Sequence, residues 1–596
     1  MSEPSEILTA PTGSAAPPRW DRHFWLALVA ATLILLPRSA LIMRAQNECM
    51  DSDFHLRHGL AILLGTRSQI IMGSNDPPLG QMILAVPMIA TGSIPSRPIH
   101  HEHWPAGVSL PGGRQAGDPT PTTQRAEYER TIRNGVLYGN AWSPGALLVL
   151  LAVWKAALFV PAMLVIFQWS RAVYGVGAAW ITQALLLVDP TLAAHIPMPA
   201  LDTLAVEAIV IACFCMWRYF QRESTGRLLL VALTSAAAIL IKHTAVITPG
   251  VFLLMAFYYW VWRPWRTGTT FPKWREKLNV LARAALMGCV ALWALLLFDI
   301  SRPSDQTVGA VRPRHPSAFR EVLDAALERP WPAGTYIGCV SAGFQTNSGG
   351  QRSLLFGHIT RHGLWYYFPA VATFKVPLGI AGVLILAALA ALLDRRMRPG
   401  EISILIPLLA WLIFLMMARM NTGFRHFLPA YVFILMWAGG AVARLGRFGM
   451  AVAWVCIAAA FAHVLSFHPD YLSYVNFPRH QVWMQITDSN LDWNQSMRQI
   501  RPWIDRHPDL ANDKRIYVAP RLGQASYVGH YWLADNRVTF LDRGKPPPQG
   551  GILIISPVWV CGVYDDPGEN QYEFLQRKTP IDVIGHSQLV YDLDAP

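Results

Sequence analysis

GALLVLLAVWKAALFVPAMLVIFQ, from Gly145 to Gln168, contains a single charged residue, Lys155, in 24 positions. A helix of this length can cross the hydrocarbon core of a bilayer, which requires about 20 apolar residues. Similar apolar blocks recur along the 596-residue chain, which is 53% hydrophobic and only 15% charged. This composition excludes a soluble multidomain protein and predicts a polytopic α-helical membrane protein.

Hydropathy predicts about eleven transmembrane helices within residues 23–466. The expected spans lie near residues 23–43, 145–168, 175–189, 201–220, 226–241, 244–262, 279–300, 370–393, 402–418, 426–443 and 449–466. An odd number of spans places the two chain termini on opposite sides of the membrane. The first span has no obvious small-residue cleavage site after it and is interpreted as a retained anchor.

Lysine and arginine are distributed unevenly between alternate loops. The loops near 189–200, 242–243 and 419–425 have few cations. The other loops carry Arg171, Arg218, Arg222, Arg227, Arg263, Arg266, Lys273, Arg275, Lys277, Arg395, Arg396, Arg398, Arg444 and Arg447. Because loops rich in Lys and Arg stay on the cytoplasmic side, the pattern predicts a multi-pass protein of the inner (plasma) membrane.

In this orientation residues 1–22 form a cytoplasmic tail, and the carboxyl terminus lies outside the cell or in the periplasm. The long loops 44–144 and 301–369 are external as well. The net charge of +12 is interpreted as a topology signal with attraction to anionic lipid, and nucleic acid is not an expected partner.

The first external loop begins with MDSDFHLRHG, Met50 to Gly59, and continues with SNDPPLGQ, Ser74 to Gln81. These two stretches place Asp51, Asp53 and Asp76 close to a membrane surface. A carboxylate at the mouth of a lipid-facing cavity can serve as a general base or a metal ligand. By residue types alone, an ordinary solvated loop fits better.

Two short amphipathic helices, 55–65 and 77–90, are expected to lie on the membrane surface within this loop. The polar stretch after them includes His100, His101, Glu102 and His103. Such a cluster can bind a metal ion, but histidines without helical spacing are more often solvated. Cys49, Cys339 and Cys561 are external in this topology, and their pairing is left open.

From about His468 onward the pattern changes to short β-rich runs. A helical stretch, Asn494 to Ile504, precedes them. The runs are RIYVAP (Arg515 to Pro520), RVTFL (Arg537 to Leu541), GILIIS (Gly551 to Ser556) and SQLVYDL (Ser587 to Leu593). Together they predict a soluble external α/β domain over residues 467–596, which is an ordinary domain size.

Several of these stretches resemble motifs of membrane glycosyltransferases that use polyprenyl-phosphate-linked sugars, the superfamily of protein O-mannosyltransferases and aminoarabinose transferases. The closest resemblance is to the bacterial phospholipid-carrier-dependent members. The family pattern of the first loop, Asp-Glu-x-x-His-Leu-x-x-Gly followed by His-Pro-Pro-Leu, is matched by Asp51, His55, Leu56, Gly59, Pro77, Pro78 and Leu79. Ser52 stands at the common Glu of this pattern, and Asp76 stands at the common His.

The resemblance extends over nearly the whole chain. Each matching stretch falls on the predicted outer side. These stretches are Val188 to Val206, Ile241 to Val246, His362 to Gly379, Asn421 to Phe433, His468 to Asn476 and Asp488 to Gln495.

The resemblance implies an inverting glycosyltransferase that moves a sugar from a polyprenyl-phosphate carrier to a protein, lipid or glycan acceptor on the outer face. Such a site needs a carboxylate to deprotonate the acceptor and cations for the leaving phosphate. No cofactor is certain, and a divalent metal stays open. The candidate catalytic residues are Asp51 as base, Asp202 and Asp76; the candidate substrate contacts are Lys242, Arg425, Lys375, His55, Tyr366 and Tyr367.

Each candidate has a plain alternative. Cations near the end of a span often reach to lipid headgroups, and aromatic residues line membrane interfaces. Asp202 either orients Lys242 or the acceptor, or caps the helix after it. Asp488, Asn490 and Asp492 fit a turn and a helix start. A non-catalytic transporter would be expected to show internal repeats, which the chain lacks, whereas a lipid-linked glycan ligase or polymerase shares the donor logic and stays open.

Overall fold

The computed structural model describes most of the chain. The described residues are 20–64, 76–93, 109–110, 114–115, 136–138, 140, 142–303, 325–476, 481–511, 514–521, 531–533, 537–541, 546–566 and 568–595. The predicted histidine cluster His100 to His103 lies outside them.

The α-helices in the described part are, in chain order, α1 (Arg22–Ala45), α2 (Ser52–Leu63), α3 (Pro78–Ala90), α4 (Pro144–Tyr174), α5 (Val176–Val188), α6 (Pro190–His195), α7 (Asp202–Gln221), α8 (Thr225–Ile241), α9 (Thr248–Phe257), α10 (Arg263–Thr267), α11 (Trp274–Leu295), α12 (Gly334–Gly349), α13 (Tyr367–Lys375), α14 (Leu378–Leu393), α15 (Ile402–Met416), α16 (Leu428–Val442), α17 (Gly446–Leu465), α18 (Ile500–Arg506), α19 (Pro508–Ala511) and α20 (Pro557–Val560). The strands are β1 (Ser109–Leu110), β2 (Arg114–Gln115), β3 (Ile300–Ser301), β4 (Trp331–Pro332), β5 (Ser353–Leu355), β6 (His358–Thr360), β7 (Ile516–Ala519), β8 (Val538–Phe540), β9 (Ile552–Ile555), β10 (Asp582–Ile584) and β11 (Gln588–Asp592).

Long apolar helices dominate the first three quarters of the chain. Within the described residues, six helical segments are long and apolar enough to cross a membrane: Arg22–Ala45, Pro144–Tyr174, Asp202–Gln221, His243–Thr267, Trp274–Leu295 and Phe424–Leu465. Every predicted span falls on one of these segments or on the shorter apolar helices α5, α8, α14 and α15. The helical, multi-pass character is therefore confirmed, and the number of crossings stays a prediction.

The predicted span 370–393 is wrong at its start. Helix α13 ends at Lys375, and α14 begins at Leu378 after Pro377. The residue before a proline is disfavoured in the helical conformation, and Val376 accordingly has an extended backbone. Lys375 therefore lies at the end of a separate short helix and not within the long helix that was predicted.

The two helices predicted in the first loop are present as α2 and α3. They pack closely against each other, because a Cβ added to Gly59 would meet the carbonyl oxygen of Gln81 at 2.0 Å. A Cβ at Gly80 would likewise lie 2.9 Å from the carbonyl oxygen of Ile241, the last residue of α8. These glycines let the first loop pack against the end of α8, directly beside Lys242.

A five-stranded mixed sheet lies near the carboxyl terminus, in the order β10-β11-β9-β7-β8. Strand β7 pairs in parallel with β8 and β9, and β11 pairs antiparallel with β9 and β10. The four predicted strands are present, and β10 is an additional one. The predicted helix 494–504 starts later, as α18 at Ile500, since Asn494 has a positive φ of 72° in a buried turn. The domain limits and external position stay predictions.

All seven cysteines lie within the described residues, and all are free thiols. The Sγ of Cys339 lies 3.6 Å from the carbonyl oxygen of Asp76, and the Sγ of Cys561 lies 3.2 Å from that of Trp483. Cys49 contacts the hydroxyl of Ser52. No disulfide therefore forms among Cys49, Cys339 and Cys561, whose pairing the sequence left open.

Candidate functional site

Four charged side chains from distant parts of the chain meet at one place. Asp51 immediately precedes α2, Asp202 is the first residue of α7, Lys242 follows α8, and Arg425 lies in the 3-10 turn Phe424–Phe427 before α16. The Nη1 of Arg425 lies 2.9 Å from Oδ2 of Asp51 and 3.6 Å from Oδ2 of Asp202. The Nζ of Lys242 lies 2.5 Å from Oδ1 of Asp202. Their predicted clustering is therefore present.

These side chains differ in their access to solvent. The exposed fraction rises from 3% for Asp202 through 9% for Lys242 and 12% for Arg425 to 29% for Asp51. The Oδ1 of Asp51 has no hydrogen-bond partner among the described residues. Asp51 is therefore the carboxylate of this cluster that an incoming molecule can reach.

The helix-capping alternative for Asp202 is wrong. Leu201 occupies the N-cap position of α7, and no side chain caps this helix end. The carboxylate of Asp202 instead pairs with Lys242 and faces Arg425. Asp202 therefore positions both cations. For Lys242 this is the orienting role that the sequence analysis offered as the alternative to capping.

Asp76 joins the same cluster through a histidine. Its Oδ1 lies 3.2 Å from Nδ1 of His243, the neighbour of Lys242 in sequence. Burial alone would raise the pKa of Asp76, but the hydrogen bond with His243 and nearby positive charge hold that pKa well below its usual value. Asp76 is therefore ionised at neutral pH. His243 lies within the matching stretch Ile241 to Val246, and the sequence analysis assigned it no role.

His55 lies in α2 among these acidic groups. It is 5% exposed, and its Nδ1 has no hydrogen-bond partner among the described residues. Burial lowers the pKa of His55, although Asp76, Asp51 and Asp202 act in the opposite direction. The ring is therefore neutral at neutral pH and keeps one nitrogen for a further hydrogen bond.

Trp493 covers the guanidinium of Arg425, and sequence reasoning did not single it out. The Cζ of Arg425 lies 4.0 Å from the ring centre, which is a cation–π distance. The Nε of Arg425 is buried without a hydrogen-bond partner in the described part of the chain. Trp493 lies within the stretch Asp488 to Gln495 that matches the family, and this match could have identified it as a candidate. The stacked ring leaves Arg425 with donor capacity for a ligand.

Lys375 does not hold a free ammonium for a phosphate. Its Nζ donates to the carbonyl oxygens of Leu472, Tyr474 and Asn490 at 2.7, 2.8 and 2.8 Å. A lysine ammonium has three donors, so these contacts use all of them. Burial lowers the pKa of Lys375 to about 7. In this structure the ammonium therefore has no donor left for a phosphate, and its role as a phosphate contact stays a prediction.

The tyrosines predicted to line the donor site differ in environment. Tyr367 is 1% exposed, and its hydroxyl accepts a hydrogen bond from Nδ2 of Asn490 at 3.0 Å. It lies in the core, and its role as a residue lining the donor site stays a prediction. Tyr366 is 40% exposed and could still reach a bound molecule.

A second polar network connects the cluster to the carboxyl-terminal sheet. Asp488 lies in the predicted turn, which the structure forms as the 3-10 turn Asp488–Asn490. Its carboxylate pairs with Arg521 and accepts from the hydroxyl of Tyr564, while Asp492 accepts from Ser556. These residues are more than a simple turn, because they attach the loop carrying Trp493 to the sheet.

Among the described residues, no group of three or more His, Cys, Asp or Glu side chains is arranged to hold a metal ion. Asp51 and Asp202 are engaged by Arg425, and Asp76 is engaged by His243. The described residues therefore do not provide a ready ligand set for a metal ion.

No family model and no curated protein sequence matches the chain. Solved structures do. ArnT from Cupriavidus metallidurans, bound to undecaprenyl phosphate, matches with 13% identity over 96% of this chain and 99% of its own, at a TM-score of 0.47. The protein O-mannosyltransferase complex of S. cerevisiae with its sugar donor matches with 11% identity over 76% and 90%, at 0.46. The Archaeoglobus fulgidus oligosaccharyltransferase matches with 12% identity over 89% and 65%, at 0.43.

Proposed function

We propose that this protein is a membrane glycosyltransferase that moves a sugar from a polyprenyl-phosphate carrier to an acceptor on the outer, periplasmic face of the inner membrane. The observation that carries the proposal is the bridge of Arg425 between Asp51 and Asp202, with Lys242 on the far side of Asp202. It brings cations and an accessible carboxylate within a few ångströms of each other, as glycosyl transfer from a phosphate requires.

The location of the cluster supports a lipid-borne donor. Asp202 begins an apolar helix, Lys242 follows one, and Arg425 precedes another. The ends of such helices lie near the membrane surface. A polyprenyl phosphate keeps its tail in the lipid and presents its phosphate at this depth, beside Lys242 and Arg425.

The phosphate is proposed to bind Arg425 and Lys242. Without donor, both cations are neutralised by Asp51 and Asp202. A phosphate can compete with Asp51 for the guanidinium of Arg425, whose Nη1 faces both carboxylates. Binding of the donor would therefore loosen Asp51 while Asp202 stays paired with Lys242.

Asp51 is proposed as the general base because it is the most exposed carboxylate of the Arg425 cluster and has an unengaged oxygen. It accepts the proton of the acceptor hydroxyl, whose oxygen attacks the anomeric carbon. The bond from that carbon to the phosphate oxygen breaks, and polyprenyl phosphate leaves. Lys242 and Arg425 stabilise the additional negative charge that develops on the leaving phosphate. Attack opposite the leaving group inverts the anomeric centre.

His55 and Asp76 are proposed to border the sugar. The neutral ring of His55 has a nitrogen without a partner and lies among the acidic side chains. Asp76 holds His243 beside Lys242 and keeps negative charge near the sugar. Tyr366 is the exposed aromatic candidate for the same region.

A transfer assay in proteoliposomes tests the proposal. The purified protein would receive a polyprenyl-phosphate sugar labelled with tritium, with candidate protein, lipid and glycan acceptors offered separately. We expect acceptor-dependent transfer with release of polyprenyl phosphate and an inverted anomeric configuration in the product. Movement of the intact donor across the bilayer without cleavage would identify a transporter instead, and transfer of an assembled glycan would identify a ligase or polymerase.

A further inference from the structure

Two lysines that the proposed reaction does not use are buried deep in the protein. Lys155 lies within the long apolar helix α4 and is 1% exposed, and Lys375 is 2% exposed. A lysine inside an apolar helix is energetically expensive and is rarely present without a role. Neither lysine forms an ion pair with an acid among the described residues; each donates to backbone carbonyl oxygens.

Lys155 forms hydrogen bonds with the backbone of the segment that leads to Asp202. Its Nζ donates to the carbonyl oxygens of His195, Met198 and Ala200 at 3.2, 2.5 and 2.8 Å. This segment links α6 to α7, and Pro197 and Pro199 within it have no N–H to build a helix. A buried carbonyl without a donor is costly, so the ammonium defines the path of this backbone.

The segment that is held by Lys155 contacts the Arg425 cluster at two points. Asp202 follows Ala200 by two residues and reaches Lys242 and Arg425. The ring of His195 lies 5.5 Å from that of Trp493, the residue stacked on Arg425. A shift of the segment would therefore move both the carboxylate and the aromatic ring that set the position of Arg425.

Lys375 forms hydrogen bonds with the backbone on the opposite side of the same cluster. Its three carbonyl partners belong to Leu472, Tyr474 and Asn490, which lie in two separate turns. The side-chain oxygen of Asn490 accepts from the backbone N–H of Phe424 at 2.9 Å, directly before Arg425. The ammonium of Lys375 thus holds Asn490 where it anchors the turn that carries Arg425.

We infer that Lys155 and Lys375 are positioning residues, which hold the backbone on either side of Arg425 so that Asp202, Trp493 and the guanidinium keep their mutual geometry. The kinetic consequences of this inference rest on the proposed function. In this role neither lysine contacts the donor or the acceptor. Each acts through three carbonyl oxygens, and the two sets of carbonyls do not overlap.

The structural test uses the full-length protein in lipid nanodiscs and measures backbone hydrogen exchange by mass spectrometry. In Lys155→Met we expect faster exchange confined to residues 190–206, and in Lys375→Met to residues 470–476 and 488–495. The matched control is Lys273→Met, because the side chain of Lys273 is 85% exposed, and no change is expected. Unchanged exchange in these segments, or faster exchange throughout the protein, would overturn the inference.

The kinetic test separates positioning from substrate contact. With the sugar donor, each Lys→Met variant should lose about 10²-fold in kcat, since small misplacements of reacting groups have effects of this size. The KM for the donor should stay within about threefold, because neither ammonium contacts it. A raised donor KM with unchanged kcat in Lys375→Met would make Lys375 a donor contact and overturn its positioning role.

Two further results keep the test decisive. Lys155→Gln offers two amide N–H groups to the carbonyls and should recover part of the protection and of kcat. If neither Lys155 variant folds, the lysine supports the whole helix bundle and the positioning role is overturned for it. If the wild-type protein transfers no sugar, the proposed function fails, while the exchange pattern still decides the roles of the two lysines.

Discussion

The guanidinium of Arg425 contacts the carboxylate of Asp51 at 2.9 Å, although 374 residues separate them in the chain. This contact joins the first loop to the turn before α16. The same Nη1 atom faces Asp202 at 3.6 Å. One guanidinium thus sets the distance between the exposed carboxylate and the buried one.

The substitution Asp51→Asn should reduce sugar transfer by about 10² to 10⁴-fold, because the amide cannot accept the acceptor's proton at neutral pH. Donor binding should be retained. The measurement is the initial transfer rate in proteoliposomes at equal protein amounts. The matched control is Asp53→Asn, two residues away, which should be much milder; near-normal transfer by Asp51→Asn with loss in Asp53→Asn or Asp76→Asn would move the base to that residue.

The substitution Arg425→Lys should weaken donor binding by about 1.5 to 3 kcal/mol, since a point charge cannot reproduce the guanidinium contacts to phosphate and carboxylate. Isothermal titration with polyprenyl phosphate measures this loss. The substitution Lys242→Met should weaken binding by a similar amount. An unchanged dissociation constant in both variants would mean that these cations serve only the protein and its lipid surroundings.

The ion pair between Lys242 and Asp202 should contribute measurably to the thermal stability of the protein. Lys242→Met removes the closest cation from a carboxylate that is 3% exposed, and breaking a buried pair costs about 3 to 5 kcal/mol. The double variant Lys242→Met with Asp202→Asn should regain most of the lost thermal stability. If the double variant is as unstable as the sum of the single variants, the pair is not coupled.

Glu48 should make stability depend on pH. Burial raises its pKa from 4.5 to about 7, and the hydroxyl of Tyr138 donates to its carboxylate. Since the folded state binds the proton more tightly, the stabilisation is fully present below pH 4.5 and is lost as pH rises through about 7. Glu48→Gln should therefore raise the Tm at pH 8 and leave it unchanged near pH 4. The exposed Glu569→Gln is the control, and an equal change at both pH values would contradict the prediction.

Membrane orientation should follow the arginine pattern. An alkaline phosphatase reporter fused after Pro596 should be active only outside the cytoplasm, and one inserted after Arg222 should be inactive. The reason is that loops rich in Lys and Arg remain cytoplasmic. Activity of the Arg222 insertion would invert the topology and place the Arg425 cluster on the cytoplasmic face.

The sequence by itself determined the apolar helices and four of the strands, because hydropathy and β-propensity are local properties that neighbouring residues share. The motif resemblance also selected Asp51, Asp202, Lys242 and Arg425, which the structure brings together. Their shared position at ends of apolar helices could be read from the same local pattern.

Only the tertiary structure decided which groups these side chains contact. Lys242 and Lys375 look alike in sequence, each near the end of an apolar helix, yet one pairs with Asp202 and the other donates to three carbonyl oxygens. Lys155 and Trp493 gained their roles in the same way. A donor's partners come from residues far away in the chain, so hydropathy and spacing do not encode them, and the packing of α2, α3 and α8 around glycines determines which atoms meet.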